Sequence, residues 1–179
     1  YAFVETLAYS PTVPPARHAR PRDNVIVRFA TAQACRAHPL STDCGDHWYI
    51  PQFLAGWSEV CGDSRLYVWD YVVDFANLMM PYPNLHVLQP NVKFFVDNGV
   101  KGVFSQANPA GGGEFAELRA YLLARSYWDP DTDWRKEMSG FLKAYYGAAG
   151  TPIGQYIEMM WEKAHSGFKP MAPQETDLL

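Results

Sequence analysis

Asp70 is the residue best suited to chemistry, because it is the single charged side chain in the apolar run from Leu66 to Val73. A carboxylate in a buried strand is costly to desolvate unless it is paired, hydrogen-bonded or open to a cleft. In α/β folds such clefts lie at the carboxyl ends of the strands. Asp70 is therefore a candidate catalytic residue. The alternative is that it caps the following turn or forms an internal ion pair with Arg28.

Polar and aromatic side chains at or beyond the ends of the predicted strands are candidate substrate contacts. Arginine binds carboxylates through two parallel hydrogen bonds, and aromatic rings offer flat apolar surfaces on which a sugar ring can stack. Two further carboxylates, Glu5 and Asp74, are interpreted as structural. The candidate substrate-binding residues are Arg28, His38, Tyr71, Asn77, Tyr82 and Gln106.

A segment rich in cysteine and histidine follows the second predicted strand. It has two C-x2-H halves, Cys35 to His38 and Cys44 to His47, with five residues between them. Zinc ligation, a Cys35–Cys44 disulfide and simple packing of unbridged cysteines are all open. Packing is preferred, because structural zinc sites usually have a longer loop between their ligand pairs. We therefore expect no metal and no cofactor, and a metal-dependent hydrolase is the weakest functional alternative.

Hydrophobic patterning predicts strands near residues 2–9, 24–30, 66–73 and 100–105. Helices are predicted near 51–60 and 90–98, and three more close the chain. The second of these three is predicted to begin at Asp131 or Asp133, and the third at Thr151. The strands are apolar on both faces, which is typical of parallel β/α units covered by helices.

This order of elements predicts an α/β fold that is the C-terminal half of a TIM-like (β/α)8 barrel, with four parallel strands and C-terminal helices. A complete barrel usually needs about 250 residues, and this chain has 179. A small open sheet, complete in itself, is the alternative. The chain opens directly on a strand without an initiator methionine, so we expect it to be cut from a longer protein.

The predicted half-barrel occupies residues 1–166 and is followed by a flexible tail at 167–179. Its uncovered edges would pair with a missing amino-terminal half or with a second copy of the chain. Alternation places Leu66, Val68 and Asp70 on one face of the third strand. If Leu66 and Val68 fill a barrel interior, Asp70 opens into the barrel mouth.

The amino-acid composition limits the kinds of molecule that the chain is expected to bind. The net charge is -4 and no cluster of lysine and arginine is present, which argues against nucleic acid. No apolar window is long enough to span a membrane. Aromatic residues reach 15% while charged residues are 19%, which suits a sugar site or a partner surface. The odd number of cysteines leaves the compartment undetermined.

A set of motifs resembles a bacterial family, the domain of unknown function 4838 family. The resemblance extends from about residue 5 to residue 165. The segments that carry it, in order, are Leu7-Ala-Tyr9, Asn24-Val-Ile-Val-Arg28, Cys35-x-x-His38-Pro-Leu40, Tyr67-Val-Trp-Asp-Tyr71, Asp74-Phe-Ala-Asn77, Pro81-Tyr-Pro-Asn84, Gly99-Val-Lys-Gly-Val-Phe104, Glu117-Leu-Arg-Ala-Tyr121, Trp128-Asp-Pro130 and Tyr145-Tyr-Gly147.

The resemblance implies a glycoside hydrolase related to α-glucuronidases, in which the four strands are the fifth to eighth of a barrel. A full-length parent of this kind would be secreted or periplasmic. The family commonly has Phe-Glu-Gln-Gly after the last strand, where this chain has Phe104-Ser-Gln-Ala107, so Ser105 replaces an expected carboxylate. The fragment is therefore expected to be inactive by itself. A non-catalytic carbohydrate-binding or scaffolding domain is the alternative function.

Overall fold

The computed structural model describes residues 2–62, 64–108 and 112–165. Its sheet contains four strands: β1 (Val4–Ala8), β2 (Val25–Ala30), β3 (Leu66–Tyr71) and β4 (Gly102–Gln106). Neighbouring strands are parallel, and their order in the sheet is their order in the chain. The predicted α/β class and the predicted parallel strands are confirmed.

Helices follow the strands as predicted. The described residues form α1 (Tyr49–Cys61), α2 (Leu88–Asp97), α3 (Ala116–Trp128), α4 (Trp134–Tyr146) and α5 (Gly150–His165). Short 3-10 helices occupy Ser10–Thr12, Leu85–Val87 and Gly147–Ala149. The crossover from β1 to β2 is a long loop that contains only the first of these short helices, as its prolines predict.

Glycines and caps explain most helix boundaries. Gly62 and Gly99, which follow α1 and α2, have φ angles of 66° and 77°, a conformation in which glycine is the least strained residue. At the start of α4, the Asp133 side chain accepts hydrogen bonds from the backbone N–H groups of Arg135 and Lys136, at 3.0 and 3.2 Å. Asp133 is thus the cap that the sequence predicts as one of two candidates.

The predicted start of α5 is wrong. The helix begins at Gly150, so Thr151 lies inside it and does not cap it. The cause is the 3-10 turn at Gly147–Ala149, which runs directly into α5 through a helical backbone at Gly150, with φ -58° and ψ -38°. A residue that caps a helix through its side chain usually has an extended backbone, and no such residue separates the 3-10 turn from α5.

The core has two main parts. One lies between the sheet and α1 and α2, where Phe29, Leu66 and Val68 are buried together with Leu54 and Phe95. The other joins the carboxyl end of the sheet to the helices that follow it; its buried members include Val72, Leu88, Leu118, Leu122, Met138, Leu142 and Ile157. The predicted tail at 167–179 and part of the predicted loop before α3, residues 109–111, fall outside the described residues.

Candidate functional site

The two faces of the sheet have different surroundings. Parallel register aligns Phe29 with Val68 and Val27 with Leu66, and these side chains are buried against α1 and α2. We call this the covered face. The other face carries the alternate residues of each strand, and we call it the open face; it includes Glu5, Leu7, Arg28, Tyr67, Trp69, Tyr71, Phe104 and Gln106.

The covered face is where Asp70 lies, since it alternates with Leu66 and Val68 along β3. The condition that these two side chains fill a barrel interior is not met. They pack against α1 and α2, because the amphipathic faces of those helices supply the apolar partners. Asp70 therefore points toward the helix layer, and only 4% of its surface is exposed.

Asp70 forms a buried ion pair, with Arg36 rather than Arg28. One carboxylate oxygen, Oδ1, lies 3.3 Å from Nη1 of Arg36 and 2.5 Å from the Thr31 hydroxyl. The same oxygen accepts the backbone N–H of Tyr71 at 3.0 Å. Burial raises the pKa of Asp70, while Arg36 and Thr31 act in the opposite direction. From the sequence, an internal ion pair with Arg28 is the alternative to a catalytic role. The ion pair exists, but its arginine is Arg36.

Arg36 is the residue that sequence reasoning missed. Its guanidinium donates to the backbone oxygens of Thr31 and Ala32, at 2.6 and 3.3 Å, as well as to Asp70. It thereby joins the start of the loop after β2 to the end of β3. An available signal was its position inside the Cys35–His38 motif, where a charged residue stands among small and apolar neighbours.

Buried polar groups continue beyond this ion pair along the carboxyl end of the sheet. Arg119 of α3 contacts the Glu114 carboxylate at 3.1 Å and the Asn84 side-chain oxygen at 3.4 Å. Burial raises the pKa of Tyr82 to about 12, partly offset by Arg36. Among the described residues, the Tyr82 hydroxyl and Oδ2 of Asp74 are buried without a hydrogen-bond partner. Tyr82, a predicted sugar contact, is only 3% exposed.

The open face presents a different chemistry. Arg28 forms an ion pair with Glu5 at 2.7 Å, and its guanidinium lies 5.8 Å from the centre of the Trp69 ring. The Trp69 indole N–H donates to Oε1 of Gln106 at 2.8 Å. Phe104 packs edge-on against Trp69 at 4.6 Å and is 45% exposed. Aromatic surface and hydrogen-bonding groups thus lie side by side.

Three of the predicted binding residues share this open face. Arg28 and Gln106 both lie beside Trp69, and Tyr71 aligns with Gln106 in the parallel register. Tyr67 lies directly across Gly102, where a Cβ atom would collide with its ring. Glycine at this position therefore allows an aromatic row along β3 to lie flat on the neighbouring strand.

The other predicted binding residues lie elsewhere. Asn77 is exposed in the loop after β3, where its side-chain oxygen accepts the Met79 backbone N–H at 3.2 Å. His38 lies in the cysteine segment, with Nδ1 3.4 Å from the Cys35 sulfur. All three cysteines, including Cys44 and Cys61, are free. The structure places Arg28 and Asp70 on opposite faces of the sheet, so these two residues do not share a site.

Comparison with models of known protein families shows the family to which the chain belongs. The family model described as "Domain of unknown function (DUF4838)" matches residues 2–158. The chain is a member of the DUF4838 family. No curated protein and no solved structure matches it. No helix within the described ranges is both long and apolar enough to cross a membrane.

Ser105 has a defined place in this DUF4838 chain. It aligns with Asp70 in the register of β3 and β4, on the covered face. Its hydroxyl lies 2.5 Å from the hydroxyl of Tyr127 in α3. A carboxylate at position 105 would lie beside Asp70, and like charges at such a separation repel. The serine instead forms a neutral contact between β4 and α3.

Proposed function

We propose that this chain binds carbohydrate on the open face of its sheet, as one wall of a glycoside-hydrolase-like domain. One observation carries the proposal: Trp69 lies between the Arg28–Glu5 pair and the Gln106 amide on a face that no described helix covers. A sugar presents an apolar ring face and a rim of hydroxyl groups. It therefore needs an aromatic surface bordered by hydrogen-bond donors and acceptors.

The polar groups around Trp69 suit a neutral sugar. Glu5 neutralises Arg28, so a second carboxylate at this position would gain less from the arginine than at an unpaired one. The pair itself offers a donor and an acceptor to neighbouring hydroxyl groups. We therefore propose a neutral sugar ligand in preference to a uronic acid, which the resemblance of the sequence to relatives of α-glucuronidases would suggest.

Binding is favoured over catalysis by the position of the carboxylates. Glycoside hydrolysis generally uses two carboxyl groups on opposite sides of the scissile bond. Among the described strand residues of the open face, Glu5 alone has a carboxyl group. Asp70 lies on the covered face, where it forms an ion pair with Arg36 and accepts a hydrogen bond from Thr31. The chain thus supports a sugar-binding role, and hydrolysis would need a second carboxyl group from another polypeptide segment.

The architecture supports a place within a barrel. Four parallel strands in chain order, with helices packed on one face, are the arrangement of consecutive units in a (β/α)8 barrel. In such a barrel the open face would become the interior, and Tyr71 and Gln106 would lie nearest the mouth because they end their strands. We propose that the remaining strands come from an amino-terminal half or from a second copy of the chain.

A binding experiment tests this proposal. Xylose, glucose and glucuronate would be titrated into the wild-type chain and into Trp69→Ala, with binding followed by NMR and calorimetry. We expect the neutral sugars to bind, and the variant to lose about threefold to tenfold in affinity, which corresponds to about 0.5–1.5 kcal/mol for an aromatic contact. The matched control is Trp128→Ala, since Trp128 is an exposed tryptophan, at 87%, that ends α3 and is not part of a strand.

The outcomes separate the alternatives. Equal affinities for Trp69→Ala and wild type would refute the proposed surface. If the wild-type chain prefers glucuronate and Arg28→Gln loses this preference, the proposed surface is correct but its ligand is a uronic acid and not a neutral sugar. Absence of binding by any of the sugars would refute the carbohydrate function of this chain and favour the scaffolding alternative.

A further inference from the structure

The folded chain brings together the two halves of the cysteine-histidine segment. The donor atoms of Cys35, Cys44 and His47 all lie within 4.8 Å of one another. Nδ1 of His38 lies 3.4 Å from the sulfur of Cys35 and 3.7 Å from that of Cys44. The two sulfurs and the His47 imidazole are therefore mutually close, and the His38 imidazole contacts both sulfurs, in the loop between β2 and α1.

The two distances from His38 to the sulfurs are those found in a tetrahedral zinc site. With zinc–sulfur bonds near 2.3 Å and zinc–nitrogen bonds near 2.0 Å, neighbouring donor atoms in a tetrahedron are separated by about 3.3–3.8 Å. The two distances from His38 fall in this interval. The ordinary alternative, a disulfide, brings the sulfurs to about 2.05 Å, and Cys35 and Cys44 are both free.

His47 supplies an independent observation. Its side chain is fully buried, and neither ring nitrogen has a hydrogen-bond partner among the described residues. A buried imidazole without partners is costly, because the desolvation of its nitrogens is not repaid. A metal bond to one nitrogen would repay it. Cys35 is also buried, whereas His38 and Cys44 are partly exposed, so the group lies at the boundary between the protein interior and the surface.

We infer that Cys35, His38, Cys44 and His47 form a structural zinc site. Cysteine and histidine are the preferred ligands of zinc, and four protein ligands leave no open position for a substrate. Two thiolates balance the charge of the ion, so the site is neutral overall. The short spacing in the sequence favours packing cysteines, whereas the folded geometry favours the metal.

The site would hold the loop that carries Arg36. This residue lies next to Cys35, and its guanidinium forms the ion pair with Asp70 at 3.3 Å. A metal bond at Cys35 would therefore limit the movement of the loop and position Arg36 against the end of β3. Ala164 of α5 packs against the same segment, so the metal would also support the docking of the last helix.

Metal analysis of the purified full chain tests the inference. We expect about one zinc ion per chain that survives dialysis against a weak chelator. Cys44→Ser and His47→Gln should reduce this to below about a tenth of an equivalent under the same conditions. Cys61→Ala is the control: Cys61 is a buried, free cysteine that lies in α1, outside the cluster, so the variant should retain its zinc.

A spectroscopic readout covers the case in which a variant fails to fold. Replacing zinc by cobalt in the wild-type chain should give the intense visible bands of tetrahedral cobalt with thiolate ligands, and equimolar zinc should abolish them. The inference is overturned by any of three results: no bound metal after reconstitution under reducing conditions, an intact Cys35–Cys44 disulfide by mass spectrometry, or zinc retained in both ligand variants.

Discussion

Asp70 and Trp69 are neighbours in β3, yet they belong to different environments. Asp70 points into the helix layer and is held by Arg36 and Thr31. Trp69 points to the open face, where Arg28 and Gln106 flank its ring. The comparison shows that a charged residue in an apolar strand can serve packing, while an aromatic residue beside it provides the surface suited to a ligand.

The ion pairs on the two faces of the sheet differ in burial. Arg36–Asp70 is almost completely buried, with side-chain exposures of 3% and 5%. Arg28–Glu5 is shorter, at 2.7 Å, but half of the Glu5 side chain is exposed. Removal of one partner from a buried pair leaves an uncompensated charge, whereas water replaces the missing partner at an exposed pair. Burial therefore predicts their importance better than distance does.

The largest expected effect is on stability, at the covered face. Asp70→Ala should lower the free energy of unfolding by about 3–5 kcal/mol, because Arg36 remains buried without its partner. Denaturant titration of both proteins measures the difference. Glu5→Ala is the matched control at the open face and should cost less than about 1 kcal/mol. Equal costs for the two variants would contradict the distinction between the faces.

An effect of intermediate size on the free energy of unfolding is expected at alkaline pH, where Tyr82 loses its proton. Its folded pKa of about 12 exceeds the ordinary value of 10.0, so the unfolded chain releases this proton first. The free energy of unfolding should therefore fall as pH rises from 10 toward 12, by roughly 2–3 kcal/mol at about 1.4 kcal/mol per pH unit.

Tyr82→Phe removes this contribution, so its stability should decline less than that of wild type over the alkaline range. Thermal unfolding at a series of pH values measures the difference. The control is the same pair of proteins near pH 7, where Tyr82 is protonated in both the folded and the unfolded wild-type chain. A parallel decline of both proteins above pH 10 would show that Tyr82 is not the group responsible.

The smallest effect is expected at Gly102, on the open face. A Cβ atom there would collide with the ring of Tyr67, which must then move. If the face is open, the ring can turn toward solvent and Gly102→Ala should cost less than about 1 kcal/mol. A cost of about 1–3 kcal/mol, which is typical of overpacking, would indicate that a further chain segment covers the face.

Much of the fold follows from local sequence. The apolar runs around Val27 and Val68 predict their strands, and Gly62 and Gly99 mark the ends of α1 and α2. These signals are local because backbone conformation depends on neighbouring residues. The start of α5 was harder to predict, since a short 3-10 turn before Gly150 competes with the capping signal at Thr151.

The candidate site was less predictable. Alternation correctly groups Leu66, Val68 and Asp70, but a parallel strand is apolar on both sides, so the pattern does not tell which face the helices cover. The partner of Asp70 is equally hidden, because Arg36 reaches it only through the path of the loop after β2. The sequence alone predicts a structural role for Glu5, because its exposure beside Arg28 depends on the pairing of β1 with β2.

The loop between β2 and α1 also has a consequence for the newly synthesised chain. Its backbone is held by side chains that follow much later: Asn91 accepts the N–H of Leu40, and His86 donates to the oxygen of Ala37, both at 2.8 Å. A ribosome-bound chain that stops before His86 lacks both anchors. When a chelator withholds zinc, we expect Cys35 and Cys44 to react with an alkylating reagent at that stage and to become protected once α2 has emerged. Equal reactivity of arrested chains of both lengths would contradict this order of events.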